Sequence, residues 1–100
     1  MQVAIVTGAG IRVGRAIAEK LAARNYHVIC HGNRSHEAAK ELAQSIQEEG
    51  GSAEATQADL SDIEAVRRLG QSILEKHSEI SILVNNAGIY ENCAFEDITL

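Results

Sequence analysis

Short apolar runs alternate with amphipathic stretches along the whole of this 100-residue chain. Residues 3–7 (Val-Ala-Ile-Val-Thr) are apolar at successive positions and rich in β-branching, as a strand buried on both faces requires. From 12 to 25, Val13, Ala16, Ile17 and Leu21 recur at helical spacing. Residues 28–30 (Val-Ile-Cys) make a second short strand. Ser35 stands where a helix N-cap is needed, ahead of a face carrying Ala38, Leu42 and Ile46, and Gly50-Gly51 closes that helix. Residues 53–58 read as a third strand. Ser61 and Glu64 form a capping box before Ile63, Val66, Gly70 and Ile73. Residues 80–85 are a fourth strand, and 95–100 have the pattern of a helix beginning.

Strands alternating with helices of this length predict right-handed crossovers and a parallel sheet covered on both sides. The expected fold class is therefore α/β: a Rossmann-type, doubly wound parallel sheet in three α/β/α layers, with strand order 3-2-1-4. In such sheets ligands bind at the carboxyl ends of the strands, where the order reverses. Those ends are Thr7-Gly8 and Asn85-Asn86.

Charge sharpens this expectation. The net charge of −5 argues against nucleic acid as a partner. Residues 1–34 nevertheless carry Arg12, Arg15, Lys20, Arg24 and Arg34 against Glu19 alone, which suits a small anionic ligand near the first turn. The apolar run at 2–6 has no basic flank and falls far short of a ~20-residue span, so no membrane insertion is expected. Cys30 and Cys93, with 62 residues between them, make no disulfide framework and fit a reducing, cytoplasmic setting. No metal site is expected: His27 and His31 lie ~13 Å apart along a strand, and His36 and His77 read as exposed helix residues.

The turn from first strand to first helix reads Thr7-Gly8-Ala9-Gly10-Ile11-Arg12-Val13-Gly14. Glycines there let a phosphate approach main-chain N–H groups, and the helix N-terminus adds unpaired N–H donors with a partial positive charge. The spacing Gly8, Gly10, Gly14 departs from the strict G-x-G-x-x-G, because Val13 stands at its last glycine. Position in the chain, after a buried strand and before an amphipathic helix, is what makes this a phosphate site.

Here the sequence resembles the short-chain dehydrogenase/reductase family, whose turn reads Thr-Gly-x-x-x-Gly-x-Gly. Thr7, Gly8 and Gly14 fit that pattern, and Arg12 replaces the middle glycine, as in the pteridine reductases. Leu83-Val84-Asn85-Asn86-Ala87-Gly88 matches the family's Asn-Asn-Ala-Gly at the end of strand 4. The resemblance implies a dinucleotide lying across Thr7, Gly8, Ile11, Arg12, Val13 and Gly14, with Asn86, Ala87 and Gly88 beside it. It also sets Asp59-Leu60 against the adenine. The second strand ends Cys30-His31-Gly32-Asn33-Arg34-Ser35 with no acid before Glu37. NAD sites place a carboxylate there for the ribose hydroxyls. Asn33, Arg34 and Ser35 offer instead an amide, a guanidinium and a hydroxyl suited to a 2′-phosphate, so the expected cofactor is NADP(H). The segment is similar to those of pteridine reductases and 3-oxoacyl-carrier-protein reductases.

Family members run to roughly 250 residues and use a Tyr-x-x-x-Lys pair as proton donor and pKa-lowering partner. In this chain Tyr26 is followed four residues on by Cys30, and Tyr90 by Ala94. No catalytic residue is therefore assigned. The expectation is that residues 1–100 are the N-terminal dinucleotide-binding part of a single domain that continues further. A strand 4 apolar on both faces supports it, because an edge of that kind invites aggregation. The implied reaction is hydride transfer to a small-molecule or carrier-bound carbonyl, or to a pterin, within a homo-oligomer. The alternative is a non-catalytic dinucleotide-binding or interaction module. A P-loop is set aside, since no Gly-Lys-Ser/Thr follows the turn.

Overall fold

A computed structural model of the chain describes residues 1–9, 12–77 and 79–86. Seven elements follow in strict alternation: β1 (Val3–Val6), α1 (Arg12–Ala23), β2 (His27–His31), α2 (His36–Glu48), β3 (Ser52–Thr56), α3 (Ile63–His77) and β4 (Ile82–Val84). The strands form one parallel sheet of order β3-β2-β1-β4, the order the alternation predicts. Ile5 lies opposite Ile29 on β2 and Leu83 on β4, while Ile29 lies opposite Glu54 on β3. The expected helix start at 95–100 and the pair Ala87-Gly88 lie outside the described residues, as do Gly10, Ile11, Tyr90 and Cys93.

Because successive side chains point to opposite faces of a strand, the sheet supports two cores. Val6, Val28, Cys30 and Ala53 face α1 and α2, where they meet Ala18, Ala39, Leu42, Ala43 and Ile46. Val3, Ile5 and Ile29 face α3 and meet Ile73, with Leu69 and Ile80 packed alongside. The helices therefore fall on both sides, giving the three layers. β4 pairs only with β1 among the described strands, and Leu83 on it is 52% exposed.

Two helix faces differ from the periodicity reading. Val13 is 62% exposed and Ala16 is exposed, while Gly14 and Ala18 are the buried positions of α1. Ile17 and Leu21 pack against the core as expected, and the smallest residues, Gly14 and Ala18, lie deepest, which lets the helix pack closely. On α3, Ile63 is 59% exposed, while Ile73 is buried as expected, with Leu69 packed alongside it.

The helix ends explain the chain reversals. α1 closes with Asn25 in the left-handed region at φ 69°; its N–H donates to Ala22 O at 3.1 Å and that of Tyr26 to Leu21 O at 3.1 Å. α2 closes the same way on Gly50 (φ 90°), with Gly50 N–H to Gln47 O at 3.0 Å and Gly51 N–H to Ile46 O at 2.9 Å. Both are Schellman caps, which need a residue tolerant of positive φ. At the start of α3 the cap sits one residue later than the Ser61–Glu64 box. Asp62 Oδ1 accepts from Glu64 N–H at 3.0 Å and Ala65 N–H at 3.4 Å. Ser61 is drawn back onto Asp59 instead, and the more acidic residue takes the helix end.

Candidate cofactor-binding site

The carboxyl ends of β1 and β4 are knitted together through Thr7. Its backbone N–H donates to Val84 O at 3.0 Å, which carries the pairing one residue past β1. Its hydroxyl donates to Val84 O at 3.3 Å and accepts the backbone N–H of Asn86 at 2.9 Å. Thr7 is 2% exposed, so these bonds form away from water and fix the relative height of the two strand ends. Gly8 follows at φ 62°, a conformation that costs L-residues roughly 1–2 kcal/mol and glycine little. Its carbonyl accepts Asn86 Nδ2–H at 3.4 Å, and Ala9 N–H donates to His31 O at 2.9 Å. The turn is thereby tied to β4 on one side and β2 on the other.

Gly14 gives this knot its seat. A Cβ at that position would stand 2.3 Å from Gly8 O and 2.4 Å from Asn86 Nδ2. Only a bare α-carbon lets α1 press against the turn and the β4 end together. Of the turn residues expected to face a phosphate, Arg12 and Val13 open α1 with exposed side chains, and Ile11 lies outside the described residues. Arg12 itself has φ 52°, left-handed backbone in the place where the resemblance has glycine.

The end of β2 builds the second half of the site. Gly32 N–H donates to Thr56 O at 3.1 Å, and a Cβ on Gly32 would stand 2.8 Å from Ser35 O, so the chain turns tightly into α2. Ser35 occupies the N-cap of α2 and accepts Ala39 N–H through its carbonyl at 3.0 Å; its side chain makes no capping bond. The expected capping role for that hydroxyl is therefore not what the structure shows. Arg34 is exposed, and Asn33 accepts Gln57 Nε2–H through its backbone carbonyl at 3.1 Å. No described residue from 31 to 35 is acidic.

Asp59 and Leu60 divide in role. Leu60 is 2% exposed and belongs to the packed interior, while Asp59 is exposed. Asp59 Oδ1 accepts the Ser61 hydroxyl at 2.6 Å and the Ser61 N–H at 3.0 Å. These bonds, the hydroxyl's first and with Arg34's charge adding to them, hold its carboxyl below the ordinary aspartate value. The loop carrying Asp59 is pinned by His31, 2% exposed, whose Nε2–H donates to Ala58 O at 2.8 Å. Sequence reasoning gave His31 no such part. Its signal was there, since a polar side chain ending a buried strand must find a partner.

Cys30, beneath the site, is fully buried, and burial first and then the Glu54 charge push its thiol up to about 12. It is an inert core residue. Away from the site, His77 is not an exposed helix residue as expected: it is half-buried and bonded to Glu54, which also holds His27.

A parallel sheet wound both ways, with a glycine turn at its switch point locked to the end of β4, defines a Rossmann-type α/β protein. Residues 2–100 match the short chain dehydrogenase family, and the chain belongs to that family. Short-chain dehydrogenase/reductase FrzI of Cladobotryum sp is 38% identical over 96 residues, covering 96% of this chain and 37% of that protein. The short-chain dehydrogenase/reductase homolog YusS of Bacillus subtilis is 38% identical over 97 residues, covering 97% of this chain and 89% of that one. Among solved structures, a metagenomic short-chain oxidoreductase in complex with NADP superposes with a TM-score of 0.84 at 38% identity. That match covers 88% of this chain and 39% of the solved one. The chain thus spans under two-fifths of FrzI and of the solved protein, and most of YusS.

Proposed function

We propose that this chain is the NADP(H)-binding part of a short-chain reductase, with the dinucleotide lying across the carboxyl ends of β2, β1 and β4. The observation that carries the reading is the Thr7–Gly8–Gly14–Asn86 knot. It seats the start of α1, where Arg12 and Val13 are exposed, directly against Gly8 and the end of β4. The fit to NADP(H) rests on the β2 end. Arg34 is exposed, Ser35 does not spend its hydroxyl on the helix cap, and the carboxylate that an NAD ribose needs is missing. Asn33, Arg34 and Ser35 would hold the 2′-phosphate, Asp59 the adenine amine, and Gly8, Ile11, Arg12, Val13 and Gly14 the pyrophosphate. Asn86, Ala87 and Gly88 would line the nicotinamide side.

Bound there, the cofactor supplies hydride for reduction of a carbonyl or a pteridine C=N. This chain's own residues bind and orient it. Arg12 brings a guanidinium with five donors to the mouth of the site, which suits an anionic or hydrogen-bonding substrate such as a pterin or an acyl-carrier thioester. A homo-oligomeric, cytoplasmic enzyme is the setting this reading carries with it. No helix among the described residues is long and apolar enough to cross a membrane.

A second reading, a dinucleotide-binding module without a catalytic half, is favoured by YusS, nearly all of which this chain matches. Titration of the purified full chain with NADPH and NADH tests both. Under the first reading NADPH binds at least tenfold more tightly, Arg34→Ala abolishes that preference, and the protein oxidises NADPH with a carbonyl or pterin acceptor. Equal affinities, or an Arg34→Ala protein that keeps the preference, refute the 2′-phosphate assignment. Binding without turnover on either acceptor class selects the module.

A further inference from the structure

At the end of the sheet away from the cofactor turn, three side chains from three elements converge. His27 opens β2, Glu54 lies in β3, and His77 closes α3. His27 Nε2 lies 2.7 Å and His77 Nε2 2.9 Å from the same carboxylate oxygen, Glu54 Oε2. One ligand atom from each of the three falls within 4.8 Å of the others, and the two rings lie 4.7 Å apart, centre to centre. The side chains are 15%, 27% and 18% exposed, so the cluster is sheltered yet open on one side.

We propose that His27, Glu54 and His77 form a binding site for one divalent zinc-class cation. Two imidazoles with one carboxylate are a donor set that Zn²⁺ takes in tetrahedral geometry, with the fourth position left to water. Bonds of about 2.0–2.1 Å imply donor atoms roughly 3.3 Å apart. Glu54 Oε2 has to withdraw by about half an ångström from each ring to reach that spacing.

The surroundings fit a metal in two further ways. His27 Nδ1 lies 2.6 Å from Ser52 Oγ. With Nε2 on a metal, Nδ1 carries the proton and donates to that hydroxyl, the outer bond by which ligating histidines are commonly oriented. Lys76 Nζ holds the other carboxylate oxygen, Oε1, at 3.3 Å, which leaves Oε2 as the single ligating atom. A cation here joins the C-terminus of α3 to β2 and β3, a tie independent of the cofactor site.

The test is a titration of the EDTA-treated full chain with ZnCl2, and with CoCl2 for its visible absorption, at neutral pH. One Zn²⁺ per chain with a micromolar or lower Kd is expected, with a Co²⁺ spectrum of a four-coordinate nitrogen–oxygen site. His27→Ala and His77→Ala should each weaken binding at least tenfold, and His36→Ala on α2 should leave it unchanged. His77→Gln keeps a donor for Glu54 while removing the imidazole. A protein with wild-type circular dichroism that has lost zinc therefore separates ligation from folding. Absence of saturable binding up to millimolar ZnCl2 overturns the proposal. So does zinc retained in full by the His27→Ala/His77→Ala double variant, which would mark an adventitious ion only.

Discussion

Gly14→Ala and Gly70→Ala make the same chemical change in two helices and should shift stability in opposite directions. Both glycines lie inside helices, where alanine is favoured by about 0.8–1.0 kcal/mol. At Gly70 a Cβ meets nothing within 4 Å, so the propensity gain stands alone and the variant should be more stable by roughly 0.5–1 kcal/mol. At Gly14 the new methyl would stand 2.3 Å from Gly8 O, where ordinary contact begins at 3.4 Å. The obstacle is backbone, so α1 must lift from the turn, and overpacking of this kind costs about 1–3 kcal/mol. The same movement strains the 3.4 Å bond from Asn86 to Gly8 O, worth about 1 kcal/mol. Set against the propensity gain, Gly14→Ala should lose about 1–3 kcal/mol net. Urea unfolding followed by far-UV circular dichroism measures both, with an unchanged slope showing that the unfolded state is the same. NADPH affinity should fall with Gly14→Ala and stay level with Gly70→Ala. If Gly14→Ala is as stable as the parent, α1 does not press on the turn and the seat described for the site is wrong.

Arg12→Gly should separate stability from binding. Releasing a left-handed arginine at φ 52° should raise the urea midpoint by up to about 1 kcal/mol in free energy, while loss of the guanidinium weakens NADPH. A fall in stability would show that the backbone there is not strained. Asp59, titrated by NMR, should ionise below its ordinary 3.8, and Ser61→Ala should bring it back toward that value. Because its folded pKa is lowered, any stability it lends is complete above pH 3.8 and is lost as the pH falls through the folded value. A midpoint that rises on acidification through that range, in a manner absent from Asp59→Asn, would contradict the sign.

The chain's alternation of apolar runs and amphipathic stretches determines much of this protein by itself. Period-2 and period-3.6 patterns are local, so the order of elements, the parallel sheet and its 3-2-1-4 arrangement were legible before any coordinates. The two strand ends, Thr7-Gly8 and Asn85-Asn86, were legible for a related reason. Parallel crossovers must bring the carboxyl ends of β1 and β4 to the same edge. The cap of α2 at Gly50-Gly51 was also readable, because positive φ leaves few residue choices.

Tertiary structure decided what pattern leaves degenerate. Hydrophobicity ranks Val13 and Ile63 above Gly14 and Ala18, yet the buried positions of α1 are the small ones. The distance between α1 and the turn is set by backbone contact, and side-chain hydrophobicity does not report it. Ser61 and Asp62 are both good caps, and the contest went to Asp62 because the Ser61 hydroxyl is already bonded to Asp59. His77 looks like a solvent-facing helix end until the fold sets it beside a histidine 50 positions earlier and a glutamate 23 positions earlier. Spacing along a strand kept His27 from His31, and no local rule could supply its partners on α3 and β3. The sequence determined which strand ends meet at the ligand crevice. Only the packed structure determined which side chains meet anywhere else, because those contacts join residues that no periodicity connects.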